Sequence, residues 1–179
     1  MTFRTVLVAN RGEIADRVFR TCNELEIATV GIYVAGDTAH LDPADQVREV
    51  PSYLDAAAII AAAVETGAEA IHPGYGFLSE NAQFAKAVTD AGLVFVGPTA
   101  DVIELMGRKD RAREVAERAG VPIMPRFEPE AVPADAYPVL VKAAAGGGGK
   151  GMHIVTEPTG LASALATAAR EAKSAFGDD

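Results

Sequence analysis

Apolar positions in the first hundred residues follow two rhythms in turn. Short runs rich in β-branched residues predict strands over residues 5–9, 28–34, 47–50, 69–72 and 93–96. Between them the spacing widens to three or four. Ile14, Val18, Cys22 and Leu25 fall on one face of a helix, residues 54–66 form an alanine-rich helix capped by Gly67, and residues 80–91 form another with Ser79 as N-cap. This β-α alternation predicts an α/β fold with a mostly parallel sheet and helices on both faces, since parallel neighbours need a returning helix. Polar loops at 35–44 and 73–78 then lie where such sheets place ligands, at the carboxyl ends of strands. A first domain is expected over residues 1–107.

The pattern changes from residue 108 onward. A helix over 108–119 turns Ala112, Val115, Ala116 and Ala119 inward, Gly120 ends it, and residues 121–124 read as a short strand before a polar connection at 126–135. Lys109 stands near that helix's start, where the macrodipole disfavours a cation unless an anion lies close. Residues 139–141 form a strand that Lys142 leaves, and residues 152–155 form another. Gly146, Gly147, Gly148 and Gly149 lie between them, and a last helix over 159–176 buries Leu161, Leu165, Ala168 and Ala172.

Four consecutive glycines surrender more backbone order than a turn requires, so something approaches that backbone closely. Bare amides flanked by Lys142 and Lys150 suit phosphate, and the ligand expected is a nucleotide. The loop is neither of two common phosphate loops. A G-x-G-x-x-G fingerprint must open a helix, whereas a strand follows here, and Lys150 is followed by Gly151 rather than by a hydroxyl residue. The letters describe a strand, a glycine flap and a second strand.

Composition narrows the partners. Among 179 residues the net charge is −9, against a nucleic-acid surface, which needs a basic stripe. The longest apolar run, residues 56–64, is too short for a bilayer, and the N-terminus lacks a secretory pattern, so a cytoplasmic location is expected. Cys22 is the single cysteine, which excludes an internal disulfide and a Cys-based metal cluster; its setting predicts an inert core thiol.

Four segments together resemble biotin carboxylase: residues 8–15 (VANRGEIA), 72–81 (HPGYGFLSEN), Met106-Gly107 with Lys109, and 142–152 (KAAAGGGGKGM). The likeness runs nearly end to end, and the 72–81 block is its most specific part. It implies a Rossmann-like pre-ATP-grasp domain followed by the first, incomplete part of an ATP-grasp domain. It also implies a ligase that uses MgATP and bicarbonate to carboxylate biotin on a carrier protein, within an acetyl- or propionyl-CoA carboxylase alpha subunit or a related carboxylase. By this resemblance Lys109 and Lys142 meet the ATP phosphates, Gly146, Gly147, Gly148 and Gly149 cover the nucleotide, Met152 lies against adenine, and Tyr75 and Gly76 lie near biotin. His72 is read as a structural histidine, and Arg11 and Glu13 as holding the first β-α turn.

Implied partners are the biotin carboxyl carrier protein, carboxyltransferase subunits or domains and a second copy in a homodimer; a membrane and nucleic acid are not among them. No catalytic residue and no Mg²⁺ ligand is assigned within residues 1–179, where the acidic residues after the glycine run form no cluster, so the chain reads as catalytically incomplete alone. Three departures stand out. The 35–40 loop is short, residues 124–127 replace a Pro-Gly turn, and His153 stands where arginine is usual in the family. Two alternatives are another ATP-grasp ligase, such as a carbamoyl-phosphate synthase relative, which the 72–81 block disfavours, and a non-catalytic nucleotide-binding or assembly module.

Overall fold

A computed structural model describes residues 3–142 and 151–176, apart from the side chains of Lys109, Asp110, Ala175 and Phe176. The chain divides into two compact units, residues 1–123 and 124–179. Each has its own core.

In the first unit the strands are β1 (Thr5–Val8), β2 (Ala28–Tyr33), β3 (Gln46–Glu49), β4 (Ala70–His72) and β5 (Val94–Phe95). All pair in parallel, in the order β3-β2-β1-β4-β5. The chain steps outward from β1 to β3 and then crosses back to β4 on the other side. The carboxyl ends of β1 and β4 therefore flank a topological switch point, the place where open α/β sheets form a crevice.

The central strand is apolar and buried from Val6 to Val8 because helices cover both of its faces. Val6 and Val8 pack toward α1 (Gly12–Glu24), with Ala15, Phe19 and Cys22 among their buried neighbours. Leu7 and Ala9 belong to the larger cluster with Ile59 of α2 (Ala56–Thr66), Phe84 and Val88 of α3 (Ala82–Asp90) and Ile103 of α4 (Ala100–Gly107). Gly31 makes room for this arrangement. A Cβ there would stand 2.8 Å from Leu41 Cδ2 and 3.2 Å from Phe19 Cζ, so the absence of a side chain lets the Phe19 ring lie on the sheet.

The sheet and its helices follow the sequence reading, with corrections at the margins. Leu25 does not join the apolar face of α1; it is the C-cap residue and 64% exposed. Helix α3 starts at Ala82 rather than residue 80, and Asn81, not Ser79, is its cap, its side chain accepting the Phe84 amide at 2.9 Å. Helix α4, capped by Thr99, was not expected. In α5 (Lys109–Arg118), Ala112, Val115 and Ala116 are only half-buried, and Ala119 beyond its end is exposed. Residues 121–124 form no strand: they are mostly exposed, and no described strand lies alongside to supply hydrogen bonds.

The second unit pairs β6 (Val139–Lys142) with β7 (Met152–Val155) in antiparallel register and packs α6 (Leu161–Phe176) against one face. A 3₁₀ turn, Pro158–Gly160, precedes α6, so that helix begins two residues later than its apolar spacing suggested.

Candidate functional site

Two places in the fold collect chemistry, one in each unit. In the first unit the loops following β1, β2, β3 and β4 all emerge at the carboxyl edge of the sheet. Asn10, fully buried, ties the first to the last. Its Nδ2 donates to Pro73 O at 2.8 Å and to Tyr75 O at 2.9 Å, while its Oδ1 accepts the Arg11 amide at 2.9 Å. Sequence reasoning assigned Asn10 no role, because its partners lie 63 and 65 residues away.

Beside it, Arg11 pairs with Asp37, and the Tyr53 hydroxyl donates to the same Asp37 carboxylate at 2.9 Å. That double donation holds the Asp37 carboxyl below its ordinary range, and the ion pair with Asp37 raises Arg11 further. Burial pushes the Tyr53 phenol up. The Tyr53 ring stacks on Phe77 at a centroid separation of 5.2 Å, which fastens the 73–78 loop from its far side. Arg11 was expected to hold the first β-α turn; its ion pair instead reaches Asp37 in the loop after β2, a partner that the sequence did not reveal.

His40, under the same loops, is 3.0 Å by Nε2 from Ile32 O, so that nitrogen carries the proton. Its Nδ1 is buried without a hydrogen-bond partner, 4.0 Å from Asp37 Oδ1. His72 ends β4, and its Nδ1 accepts the Gly74 amide at 3.0 Å. Burial lowers its affinity for a proton, which matches a structural histidine better than a base working near neutrality. Tyr75 is 65% exposed; Gly76 has φ +71°, and nothing lies within 4 Å of where a Cβ would stand. The fold thus offers an aromatic ring and an open stretch of backbone at the β1/β4 edge.

In the second unit, strand alternation sorts the side chains of β6 and β7. Val141 and Val155 point into the core with Ala168 of α6. Leu140, Lys142, Met152 and Ile154 point the other way, with Lys142 opposite Met152 and Leu140 opposite Ile154 in register. The hydrophobic members are exposed, at 52% for Leu140, 39% for Met152 and 75% for Ile154. Sequence analysis selected Lys142 and Met152 but not Leu140 or Ile154, although period-2 alternation places all four on one face.

Glu171 of α6 fastens the end of β7 nearest the glycine run. Its Oε2 accepts the Gly151 amide and lies against His153 Nε2, both at 3.1 Å. The histidine that departs from the expected arginine therefore keeps an acidic partner. Gly146, Gly147, Gly148 and Gly149 lie outside the described residues, as does the side chain of Lys109, whose backbone opens α5. Among the described residues no group of three or more His, Cys, Asp or Glu is placed to hold a metal ion, and no helix is long and apolar enough to cross a membrane. Cys22 is buried, and burial raises its pKa, consistent with an unreactive thiol.

The family model for the biotin carboxylase N-terminal domain matches residues 2–103. The chain belongs to that family. A second model, the carbamoyl-phosphate synthase L chain ATP binding domain, matches residues 109–179. Biotin carboxylase of Haemophilus influenzae is 45% identical over 97% of this chain and 43% of its own length, and that of Pseudomonas aeruginosa is 48% identical over 97% and 42%.

Among solved structures, the Campylobacter jejuni biotin carboxylase–β,γ-ATP complex matches with a TM-score of 0.86 at 39% identity, covering 99% of this chain and 44% of that one. The biotin carboxylase domain dimer of Hydrogenobacter thermophilus 2-oxoglutarate carboxylase, solved with MgADP, ADP and bicarbonate, matches at 0.82 and 45%, covering 99% and 43%. The chain thus spans less than half the length of these relatives. The expected fold class holds: a Rossmann-like biotin carboxylase N-terminal domain leading into the first part of an ATP-grasp domain. Near end-to-end likeness to biotin carboxylases does not favour the carbamoyl-phosphate synthase alternative.

Proposed function

We propose that this chain is the N-terminal portion of a biotin carboxylase, the ligase that uses ATP and bicarbonate to carboxylate biotin on a carrier protein. The observation that carries this reading is the outward face of the β6–β7 pair, where the Lys142 ammonium adjoins an exposed apolar strip of Leu140, Met152 and Ile154. An apolar face that stays open beside one cation suits a flat heterocycle joined to an anion. In this reading the strip receives the adenine. Lys142, Lys109 and the amides of Gly146, Gly147, Gly148 and Gly149 receive the phosphates, and Glu171 steadies the strand that carries Met152.

ATP, when bound, supplies the phosphoryl group that activates bicarbonate. The residues of this chain bind, orient and neutralise charge, the main tasks of a protein in phosphoryl transfer. No residue of this chain is assigned to Mg²⁺: the family resemblance puts its ligands elsewhere in the enzyme, and the described residues offer no group of three or more His, Cys, Asp or Glu placed to hold a metal ion. Tyr75 and Gly76, open at the β1/β4 edge, are assigned to biotin. We keep the expected domain division near Gly107, supported by family matches that end at residue 103 and begin at 109, whereas the compact units of the fold divide later, between residues 123 and 124. The wider assignment is to a cytoplasmic acyl-CoA or related carboxylase of fatty acid metabolism, homodimeric in this portion and working with a carrier protein and a carboxyltransferase.

Calorimetric titration with ATP tests the nucleotide site. Lys142→Ala should weaken binding about tenfold to a hundredfold, the worth of a hydrogen bond to a charged group, and Leu140→Asp should weaken it by placing a carboxylate against the strip. Undiminished affinity in both variants would overturn the assignment.

A further inference from the structure

A fully buried carboxamide is costly unless each of its polar groups is matched. Asn10 meets that demand with both of its Nδ2 bonds directed to one loop, at the two carbonyls on either side of Gly74. Gly74 itself, at φ +64°, lies so close that a Cβ would stand 2.6 Å from Asn10 Nδ2 and 2.8 Å from Ile14 Cγ2. His72 Nδ1 takes the Gly74 amide, and the Gly76 carbonyl accepts the Ser79 amide at 2.9 Å. Every one of these bonds faces inward or along the loop. What they leave outward is the Tyr75 ring and the open Gly76 backbone.

We infer that Asn10 is a positioning residue for the biotin-facing loop: by holding the carbonyls of Pro73 and Tyr75 it sets the direction in which Tyr75 and Gly76 are offered. This rests on the assignment of those two residues to biotin. Asn10 is buried and touches no substrate, so it is not a catalytic residue. The Asn10 side chain is itself fully buried, and its bond to Pro73 O lies in the interior, where water competes least.

The test uses the ¹⁵N-labelled chain, titrated separately with free biotin and with ATP, in the parent and in Asn10→Ala and Asn10→Asp; the aspartate keeps the acceptor but loses both donors. The expected result in a folded variant is a biotin response at Tyr75 and Gly76 weakened about tenfold, with ATP affinity unchanged, since one pair of buried bonds is removed. Unchanged biotin affinity, or equal loss for both ligands, would overturn the inference.

Should both variants fail to fold, the parent decides. The Asn10 carboxamide protons should exchange slowly and shift together with Gly76 when biotin is added, whereas rapid exchange, or carboxamide protons that stay unmoved while Gly76 shifts, overturns the role. A parent loop that does not respond to biotin refutes the biotin assignment of Tyr75 and Gly76 instead. Asn10's hold on the loop is then read, where the variants fold, from exchange at the Gly74 amide, which accelerates if the hold is real and is unchanged if it is not, and otherwise from slow exchange of the Asn10 carboxamide protons in the parent.

Discussion

The bond from Gly74 to His72 sets a proton inventory with consequences for stability. An amide can only donate, so Nδ1 must keep its lone pair, and a second proton on the ring would break the bond. Burial acts in the same direction and holds the folded His72 below the ordinary value of 6.5. The unfolded chain therefore binds the proton more readily, and the His72 contribution is complete above that value and lost as pH falls below it. Asp37 adds a later step: held down chiefly by its hydrogen bond from Arg11, it stabilises the fold above the ordinary carboxylate range and loses that contribution as pH falls through its lowered value. Urea midpoints measured against pH should show both, and His72→Asn should remove its share of the first step while leaving the second. A variant as steep as the parent between about pH 7 and 5 would contradict this account. The residue types at these positions were legible in the sequence, and His72 was read as structural from its setting. Asn10, Asp37 and Tyr53 were not, because their partners come from other loops.

Among elements, helix starts show where local signals compete. Both Ser79 and Asn81 are good N-caps, but the Ser79 and Asn81 amides are engaged in turns to Gly76 O and Leu78 O, which delays α3 until Ala82. Asn81→Ala should cost about 1 kcal/mol of unfolding free energy in urea, as should Asp55→Ala at the head of α2, while Ser79→Ala should stay within about 0.5 kcal/mol. A larger loss from Ser79 than from Asn81 would return the cap to the residue read from sequence. Residues 121–124 carry strand-like letters and remain irregular, since alternation produces a strand only where another strand can pair with it. In the second unit the same alternation was sufficient, with β6 and β7 satisfying each other and α6 covering their inner face. Glu171→Ala should speed hydrogen exchange at the Gly151 amide and weaken ATP binding modestly, because the end of β7 loses its acceptor; unaltered exchange would mean that the carboxylate does not hold the strand.

For the molecule as a whole, ligand linkage gives the clearest expectation. A nucleotide that binds only the folded chain stabilises it by about 2.7 kcal/mol at a hundredfold excess over Kd, and hydrogen-exchange protection should concentrate in β6 and β7. Protection confined instead to β1–β5 would move the nucleotide site to the other unit. The alternation of strand and helix, the parallel sheet, the paired strands around the glycine run and the family itself were all determined by the sequence alone, because periodicity and contiguous motifs are local properties of a chain. Strand order, and with it the switch point between β1 and β4, was decided only by tertiary structure. So were the Asn10 clamp on the 73–78 loop, the Arg11–Asp37–Tyr53 brace and the hold of Glu171 on β7, since each joins residues whose separation along the chain carries no information about their distance in space.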